Sequence, residues 1–303
     1  MAGSLWDSFD HLLDEAETAF LAFDIITALE KWREYYRITA IKEYKRYIDE
    51  IEALWDETKF RNPTSCAYLF EVFLELREQF RKNMISVFSY KMYLRLIQTI
   101  YKNQFKHQAN ENTMLARGVF EYLNGDYNQS IEKLKMVLKE QQRDSLLARV
   151  YLSFCHFKKD ETKTAVIWLT QSLFLDAGQL KDDDLYLTQF KLLYSQLNSK
   201  YENPSVAAWM LTFEAWYRNW LLIEEDEPFF ALMQKKESDE RIMQVKYYAF
   251  ERYRHFVRCL FIAEYARKFH KNKQGLIHEQ EQYMERLDQR VFARYRKKRK
   301  PII

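Results

Sequence analysis

The chain has 303 residues, of which 30% are charged, and its formal net charge at pH 7 is only +3. Five glycines and four prolines are too few to separate many short elements, and period-two runs of β-branched residues are missing. These features exclude a β-sheet protein and predict an all-α fold with long helices. The three cysteines are odd in number and far apart, which indicates reduced core residues of a cytosolic protein.

Residues 1–30 contain seven acidic residues and neither lysine nor arginine, so the basic start of a secretory signal is missing. The most apolar stretch, around Trp209 to Ile223, is interrupted by Glu214, Arg218 and Asn219, and it predicts no transmembrane segment. We therefore expect a cytoplasmic protein.

Residues 1–110 are predicted to form diverged helical hairpins. A first helix spans residues 4–21 after Ser4 as a possible cap, and Asp24 caps a second helix. A third helix begins near Thr39. It could also continue the second as one long helix, because no breaker separates the two.

The first clear interruption is the stretch Arg61 to Ser65. Pro63 forces its predecessor out of the helical region, and Ser65 is placed to cap the next helix. The apolar pattern then predicts a helical hairpin from about Cys66 to Phe105, followed by a polar link at residues 107–112.

Residues 114–176 contain one helical-hairpin pattern written twice at a constant offset of 35 residues. The first helix of each copy carries a small residue, Gly118 or Ser153, which allows its partner helix to approach closely. Gly125 and Asp160 occupy equivalent positions in the turns, where the backbone leaves one helix and starts the next. Each copy is therefore predicted to be one supersecondary unit.

This pattern resembles the tetratricopeptide repeat, clearly over residues 111–176. The resemblance implies a right-handed superhelix of antiparallel helical hairpins, an α-solenoid, whose concave face binds other proteins. The residues that carry it are Gly118, Gly125, Asp126, Tyr127, Ser130, Leu134, Ser153, Ala165, Leu169 and Leu173.

The same resemblance places a partner-binding groove on the first helix of each hairpin. Some relatives clamp a peptide carboxylate with lysine and asparagine on this face, but the corresponding residues here are apolar. A mostly apolar contact with a helix or extended peptide is therefore expected. The groove residues are Val119, Tyr122, Tyr151, Phe154 and Lys158.

Residues 181–293 are predicted to form further hairpins and a capping helix. Asp182, Asp183 and Asp184 are placed to favour the N-terminus of a helix starting near Leu185, and Asn203-Pro204-Ser205 marks the next start. A long helix is predicted from Ser238 to about His270. After Gly275, a final helix is predicted from Leu276 to about Lys297 as the cap of the stack.

Residues 294–303 form a basic tail, and residues 290–300 carry seven bases without an acid. Several roles are open. The tail could be a solvated end, a polybasic segment for an acidic protein surface, a nucleic acid or an anionic membrane, or a nuclear import signal. It could also bind the acidic N-terminus of a second copy. Its bases are Arg294, Arg296, Lys297, Lys298, Arg299 and Lys300.

No catalytic constellation, phosphate-binding loop or zinc spacing is recognised, and neither a metal nor a cofactor is expected. The sequence predicts a non-enzymatic scaffold that binds a protein or peptide partner through its concave groove and helps assemble a larger complex. The alternative is an adaptor whose basic tail binds nucleic acid or an acidic surface, as strongly salt-dependent binding would show.

Overall fold

A computed structural model describes residues 9–56, 60–61, 63–107, 113–141, 144–242 and 249–299. Throughout these ranges the regular secondary structure is helical and no strand occurs, which confirms the all-α prediction. Among the described helices, none combines the length and the apolar character that crossing a lipid bilayer requires.

The described residues form fifteen α-helices. Two of them, α5 and α7, continue into short π-helical segments at Tyr101–Phe105 and Val137–Gln141, and two 3-10 turns lie at Ala177–Gln179 and Asp182–Asp184. The helices are α1 (Asp10–Leu21), α2 (Ile25–Thr39), α3 (Lys42–Leu54), α4 (Cys66–Arg81), α5 (Val87–Ile100), α6 (Met114–Leu123), α7 (Tyr127–Met136), α8 (Leu146–Lys158), α9 (Thr162–Asp176), α10 (Thr188–Lys200), α11 (Pro204–Tyr217), α12 (Glu227–Ile242), α13 (Ala249–Phe269), α14 (Gln274–Leu287) and α15 (Gln289–Arg299).

The chain divides into two compact units, residues 1–125 and 126–303. The division falls inside the turn of the first predicted repeat copy, after Gly125. The second copy, α8 and α9, lies wholly within the second unit.

In the first unit, α1 and α2 pack as a hairpin, as do α4 and α5. The Asp24 side chain accepts a hydrogen bond from Thr27 N at 3.1 Å, which confirms the predicted cap of α2. Ala40 has a φ of 52° and ends α2, so the stretch from Asp24 to Trp55 forms two helices rather than one. Ser65 caps α4 as predicted, through a 3.1 Å bond from Tyr68 N. The predicted cap Ser4 lies outside the described residues.

Aromatic side chains fill the core of the first unit. The ring of Phe20 lies 5.7 Å from Trp32, 5.8 Å from Trp55 and 5.3 Å from Tyr93. Tyr93 is fully buried and donates its hydroxyl to Ile51 O at 2.8 Å. Here the abundant aromatics join neighbouring helices, because each ring buries a large apolar area.

Three helix–helix turns share one backbone conformation. The residue after the helix C-cap has a positive φ in each, at Phe23 (64°), Gly125 (82°) and Asp160 (60°). In each the following residue is the N-cap of the next helix. The predicted equivalence of Gly125 and Asp160 is therefore visible in the backbone, and the turn between α1 and α2 has the same form.

Within the second unit, α8 and α9 pack closely along their length. The buried hydroxyl of Ser153 donates to Ala165 O at 2.7 Å, at the position where a small residue is predicted to allow close approach. Leu169 and Leu173 are buried in the core beside them. The small residue thus acts both by its size and by its hydrogen bond.

The C-terminal helix boundaries differ from the prediction. Helix α10 starts at Thr188 instead of Leu185, because the Asp184 carboxylate bonds Lys181 N at 2.9 Å and closes its own 3-10 turn. Ser238 lies inside α12, which begins at Glu227, and the predicted single helix from Ser238 to His270 includes residues outside the described ranges. The predicted start at Asn203 is confirmed, since its side chain caps α11.

The predicted final helix is two helices. Asp288 has an extended backbone, with φ −158° and ψ 104°, and separates α14 from α15. Its Oδ1 accepts hydrogen bonds of 3.0 Å from Arg290 N and Val291 N, so the carboxylate caps the start of α15. The break turns the basic end of the chain back onto α11 and α13.

Candidate functional site

The five residues of the predicted apolar groove have different environments. Val119 and Tyr151 are buried, with 0% and 3% of their surface exposed, so neither side chain is available to a partner. Tyr122 and Phe154 are half-buried, and Phe154 packs edge-on against Tyr151 with ring centres 5.5 Å apart. Lys158 is exposed. Two of the five predicted groove residues are therefore buried in this structure.

Much of the predicted basic tail is folded. Residues up to Arg299 belong to α15, and Lys300 lies outside the described residues. Arg294 binds both carboxylate oxygens of Glu214, one of them at 2.9 Å. Arg299 Nε donates to Glu264 Oε1 at 2.9 Å. The interpretation of the segment as a solvated, disordered end is therefore wrong for Arg294 and Arg299, whereas Arg296 and Lys297 on the same helix are exposed.

The side chain of Lys298 on α15 packs against the C-terminal end of α11. Its ammonium donates to the carbonyl oxygens of Trp216 and Tyr217, the latter at 3.0 Å, and lies 4.1 Å from the Trp216 ring centre. Burial lowers the pKa of Lys298 to about 8. A lysine at the carbonyl end of a helix is favourable, because it satisfies oxygens that lack helical partners.

A cavity of about 390 Å³ lies beside this contact, lined in part by Arg267, Lys268, Lys298 and Arg299. These cations have partners within the second unit: Arg267 and Arg299 bind Glu264, and Lys268 donates to Ile223 O at 2.6 Å. The two arginines of this cavity are therefore paired with a carboxylate, and its two lysines are occupied by backbone carbonyls.

A larger groove of about 710 Å³ opens on another side of α15. It is formed by the end of α10, the middle of α11, the start of α13 and the junction of α14 with α15. Its lining residues are Lys200, Tyr201, Met210, Arg252, Tyr253, Arg286, Leu287, Asp288, Gln289, Arg290, Val291 and Arg294. We call it the cationic groove.

The groove contains five basic residues and one acid. Arg294 is neutralised by Glu214. The acid, Asp288, is occupied by the α15 cap and by a 3.1 Å bond from the Tyr253 hydroxyl. The other four bases have no carboxylate within 4.0 Å in the described part of the chain; they are Lys200, Arg252, Arg286 and Arg290.

Two tyrosines form one wall of the groove. The rings of Tyr201 and Tyr253 are 6.5 Å apart, and the Arg252 guanidinium lies 5.1 Å from the Tyr253 ring centre. Arg252 Nε is shielded from water and has no hydrogen-bond acceptor within the described ranges. Burial raises the pKa of Tyr253, and nearby Asp288 raises it further, so the phenol keeps its proton. The wall therefore combines a guanidinium charge with aromatic surface.

Four groove bases could not be grouped from the sequence. Lys200, Arg252, Arg286 and Arg290 come from different helices or helix ends, and only Arg290 belongs to the basic run at residues 290–300. The signal that could have found part of the site is Asp288, an N-cap residue next to a base-rich helix. It would have placed the start of α15 beside Arg286.

Comparisons of the chain with protein-family models, with curated proteins and with solved structures found no match. The chemistry of the groove follows from its own residues. Guanidinium groups present paired donors that fit carboxylate or phosphate oxygens, and the half-buried side chain of Leu287 offers contact for a nonpolar group.

Proposed function

We propose that the protein is a non-enzymatic helical scaffold that binds an acidic segment of a protein partner in its cationic groove. The supporting observation is the set of four bases without a carboxylate partner in the described structure, arranged around one groove with two tyrosines. Uncompensated cations at such density repel one another, and a ligand with several carboxylates relieves that repulsion.

The shape of the groove favours a peptide segment over a nucleic acid. A volume of about 710 Å³ falls in the range of sites for drug-sized ligands and suits a few residues of extended chain. Leu287 supplies apolar lining, which matches side chains between acidic positions. A duplex would instead need bases spread along a surface that follows the phosphate backbone.

The scaffold part of the proposal rests on helix pairing. The turns of hairpins α1–α2 and α8–α9 each contain one residue with a positive φ, Phe23 and Asp160. Gly125 has the same conformation and lies 35 residues before Asp160, the predicted offset. We propose that each of these hairpins follows the tetratricopeptide plan of an α-solenoid. The C-terminal helices then carry the binding groove in place of the repeat face, where Val119 and Tyr151 are buried.

The proposal is tested by fluorescence anisotropy with the full chain and two labelled probes. One probe is a short peptide of glutamate and leucine, and the other is a random-sequence DNA duplex of similar net charge. A peptide with glutamine in place of glutamate controls for apolar binding. We expect the acidic peptide to bind at least about tenfold more tightly than the glutamine peptide, a difference of ~1.4 kcal/mol.

The DNA probe separates the two candidate ligand classes. If the duplex binds more tightly than the acidic peptide, and its affinity falls steeply with salt, the protein-partner proposal is wrong and the nucleic-acid adaptor is favoured. Equal affinity for the glutamate and glutamine peptides would also contradict it. In that case the groove charges would have no role in recognition.

A further inference from the structure

Three metal-ligating side chains meet in the core between α12 and α13. Glu237 comes from α12, while His255 and Cys259 are four residues apart on α13 and so share one helical face. All three are buried, with 3%, 1% and 0% of their surface exposed. This cluster is separate from the cationic groove, and none of its residues lines that groove.

The ligand atoms lie at distances that a single ion can span. His255 Nε2 is 3.0 Å from Glu237 Oε1, Cys259 Sγ is 3.8 Å from the same oxygen, and the three atoms are all within 4.8 Å of one another. Around tetrahedral zinc, with usual bond lengths, nitrogen and oxygen ligands are about 3.3 Å apart and sulfur and oxygen about 3.5 Å. Small side-chain rotations would bring the cluster to that geometry.

The neighbouring charges allow a divalent cation. Arg241 binds Glu237, but it also binds Glu279 and lies 3.9 Å from the centre of the Tyr283 ring. Arg241 therefore keeps a carboxylate and an aromatic partner if a metal takes Glu237 Oε1.

We propose that Glu237, His255 and Cys259 bind one Zn²⁺ ion. An imidazole, a thiolate and a carboxylate form a ligand set that suits zinc and disfavours magnesium or calcium, which prefer oxygen alone. Three protein ligands leave the fourth position for a water molecule. The Cys259 thiol releases its proton to solvent when the ion binds, so zinc affinity falls as pH falls.

The site escapes the usual sequence patterns. Glu237 is on a different helix from the other two ligands, and the His255–Cys259 spacing does not occur in the common zinc motifs. The packing of α12 against α13 brings the three ligands together, whereas in the common zinc motifs a short loop does so.

Cobalt titration of the full chain tests the site, since Co²⁺ replaces Zn²⁺ and a bound thiolate gives a near-ultraviolet charge-transfer band. We expect saturation at one ion per chain, displacement by Zn²⁺, and a zinc-dependent rise in melting temperature. The variant Cys66→Ala/Cys155→Ala leaves Cys259 as the only thiol and should keep the band. Cys259→Ser and Glu237→Gln should lose it.

The controls keep the test decisive even if a ligand variant folds poorly. The double variant does not alter the proposed ligands. If it folds poorly, the single variants Cys66→Ala and Cys155→Ala test in turn whether either of these thiols produces the band. No thiolate band in the unmodified chain, or a band that disappears when Cys66 or Cys155 is replaced, would overturn the proposal. A band that survives in Cys259→Ser would do the same.

Discussion

Glu214 on α11 and Arg294 on α15 form a two-pronged ion pair between residues far apart in the chain. The guanidinium also lies 4.8 Å from the Tyr217 ring centre and 5.1 Å from that of Phe213. This contact holds the last helix against the core and places the neighbouring Arg290 at the cationic groove. The side chain of Glu214 is only 11% exposed, so the pair is shielded from water on that side.

Replacing Glu214 by glutamine should destabilise the protein by about 1–3 kcal/mol, because the partly buried Arg294 loses its charged partner. The measurement is urea unfolding followed by circular dichroism. Glu285→Gln, which removes the same charge at an exposed position on α14, should change stability by no more than about 0.5 kcal/mol. Equal effects of the two variants would show that the ion pair contributes nothing specific.

The repeated turn is tested by a pair of glycine substitutions. Gly125 has a φ of 82° and open space around its Cα, so Gly125→Ala should cost about 1 kcal/mol from backbone strain alone. Gly275 lies at the start of α14, also with open space but without a positive φ, and Gly275→Ala should stabilise by up to about 1 kcal/mol. Thermal unfolding of both variants gives the comparison. A stabilising Gly125→Ala would contradict the assigned turn.

Lys298 should have an unusual reaction profile with acylating reagents. Its pKa is lowered to about 8, so its neutral amine appears at lower pH than that of an ordinary lysine, near 10.4. Acetylation at increasing pH, read by peptide mass spectrometry with a lysine amide standard, should show a midpoint near 8 for this residue. A midpoint equal to that of the standard would contradict the buried contact with Trp216.

The lowered pKa of Lys298 also makes the free energy of unfolding depend on pH. Between pH 8 and about 10.4, the unfolded chain binds the Lys298 proton while the folded chain has released it, so stability contributed by this group rises with pH. Lys298→Met should remove that rise. Unfolding midpoints at pH 8 and pH 10 for both proteins measure it.

The hydroxyl of Ser153 should contribute measurably to the α8–α9 hairpin. Ser153→Ala removes the 2.7 Å bond to Ala165 O and a 3.2 Å contact with the Tyr186 hydroxyl, and should cost about 1 kcal/mol. Ser199 also bonds a carbonyl, that of Ser195 at 3.1 Å, but it is exposed on α10. Ser199→Ala should therefore be nearly neutral in the same urea titration. A neutral Ser153→Ala would mean that size alone matters at this position.

Local features of the fold could be predicted because they depend on neighbouring residues. Asp24, Ser65 and Asn203 cap helices as expected, since each capping oxygen reaches amides two or three residues ahead. The repeat alignment also predicted that Gly125 and Asp160 occupy equivalent turn positions, and both have a positive φ. These signals involve residues that are only a few positions apart in the chain, so the sequence alone contains them.

Features that depend on tertiary contacts could not be predicted. Asp288 divides a continuous helical pattern only because its carboxylate caps α15, and the same break pairs Arg294 with a distant Glu214. The burial of Tyr151 likewise depends on how neighbouring helices close around α8. Groove bases on separate helices leave no periodic signal in the sequence, so the cationic groove appeared only in three dimensions.

The central claim is that the cationic groove, and not basic charge in general, recognises an acidic partner. Its most direct test is anisotropy of the glutamate–leucine peptide with Arg290→Glu and with Lys297→Glu. These variants make the same charge change on the same helix, but only Arg290 lines the groove. We predict that Arg290→Glu weakens binding about tenfold or more, ~1.4 kcal/mol, while Lys297→Glu changes it less than about threefold. Equal losses in both variants would contradict the account.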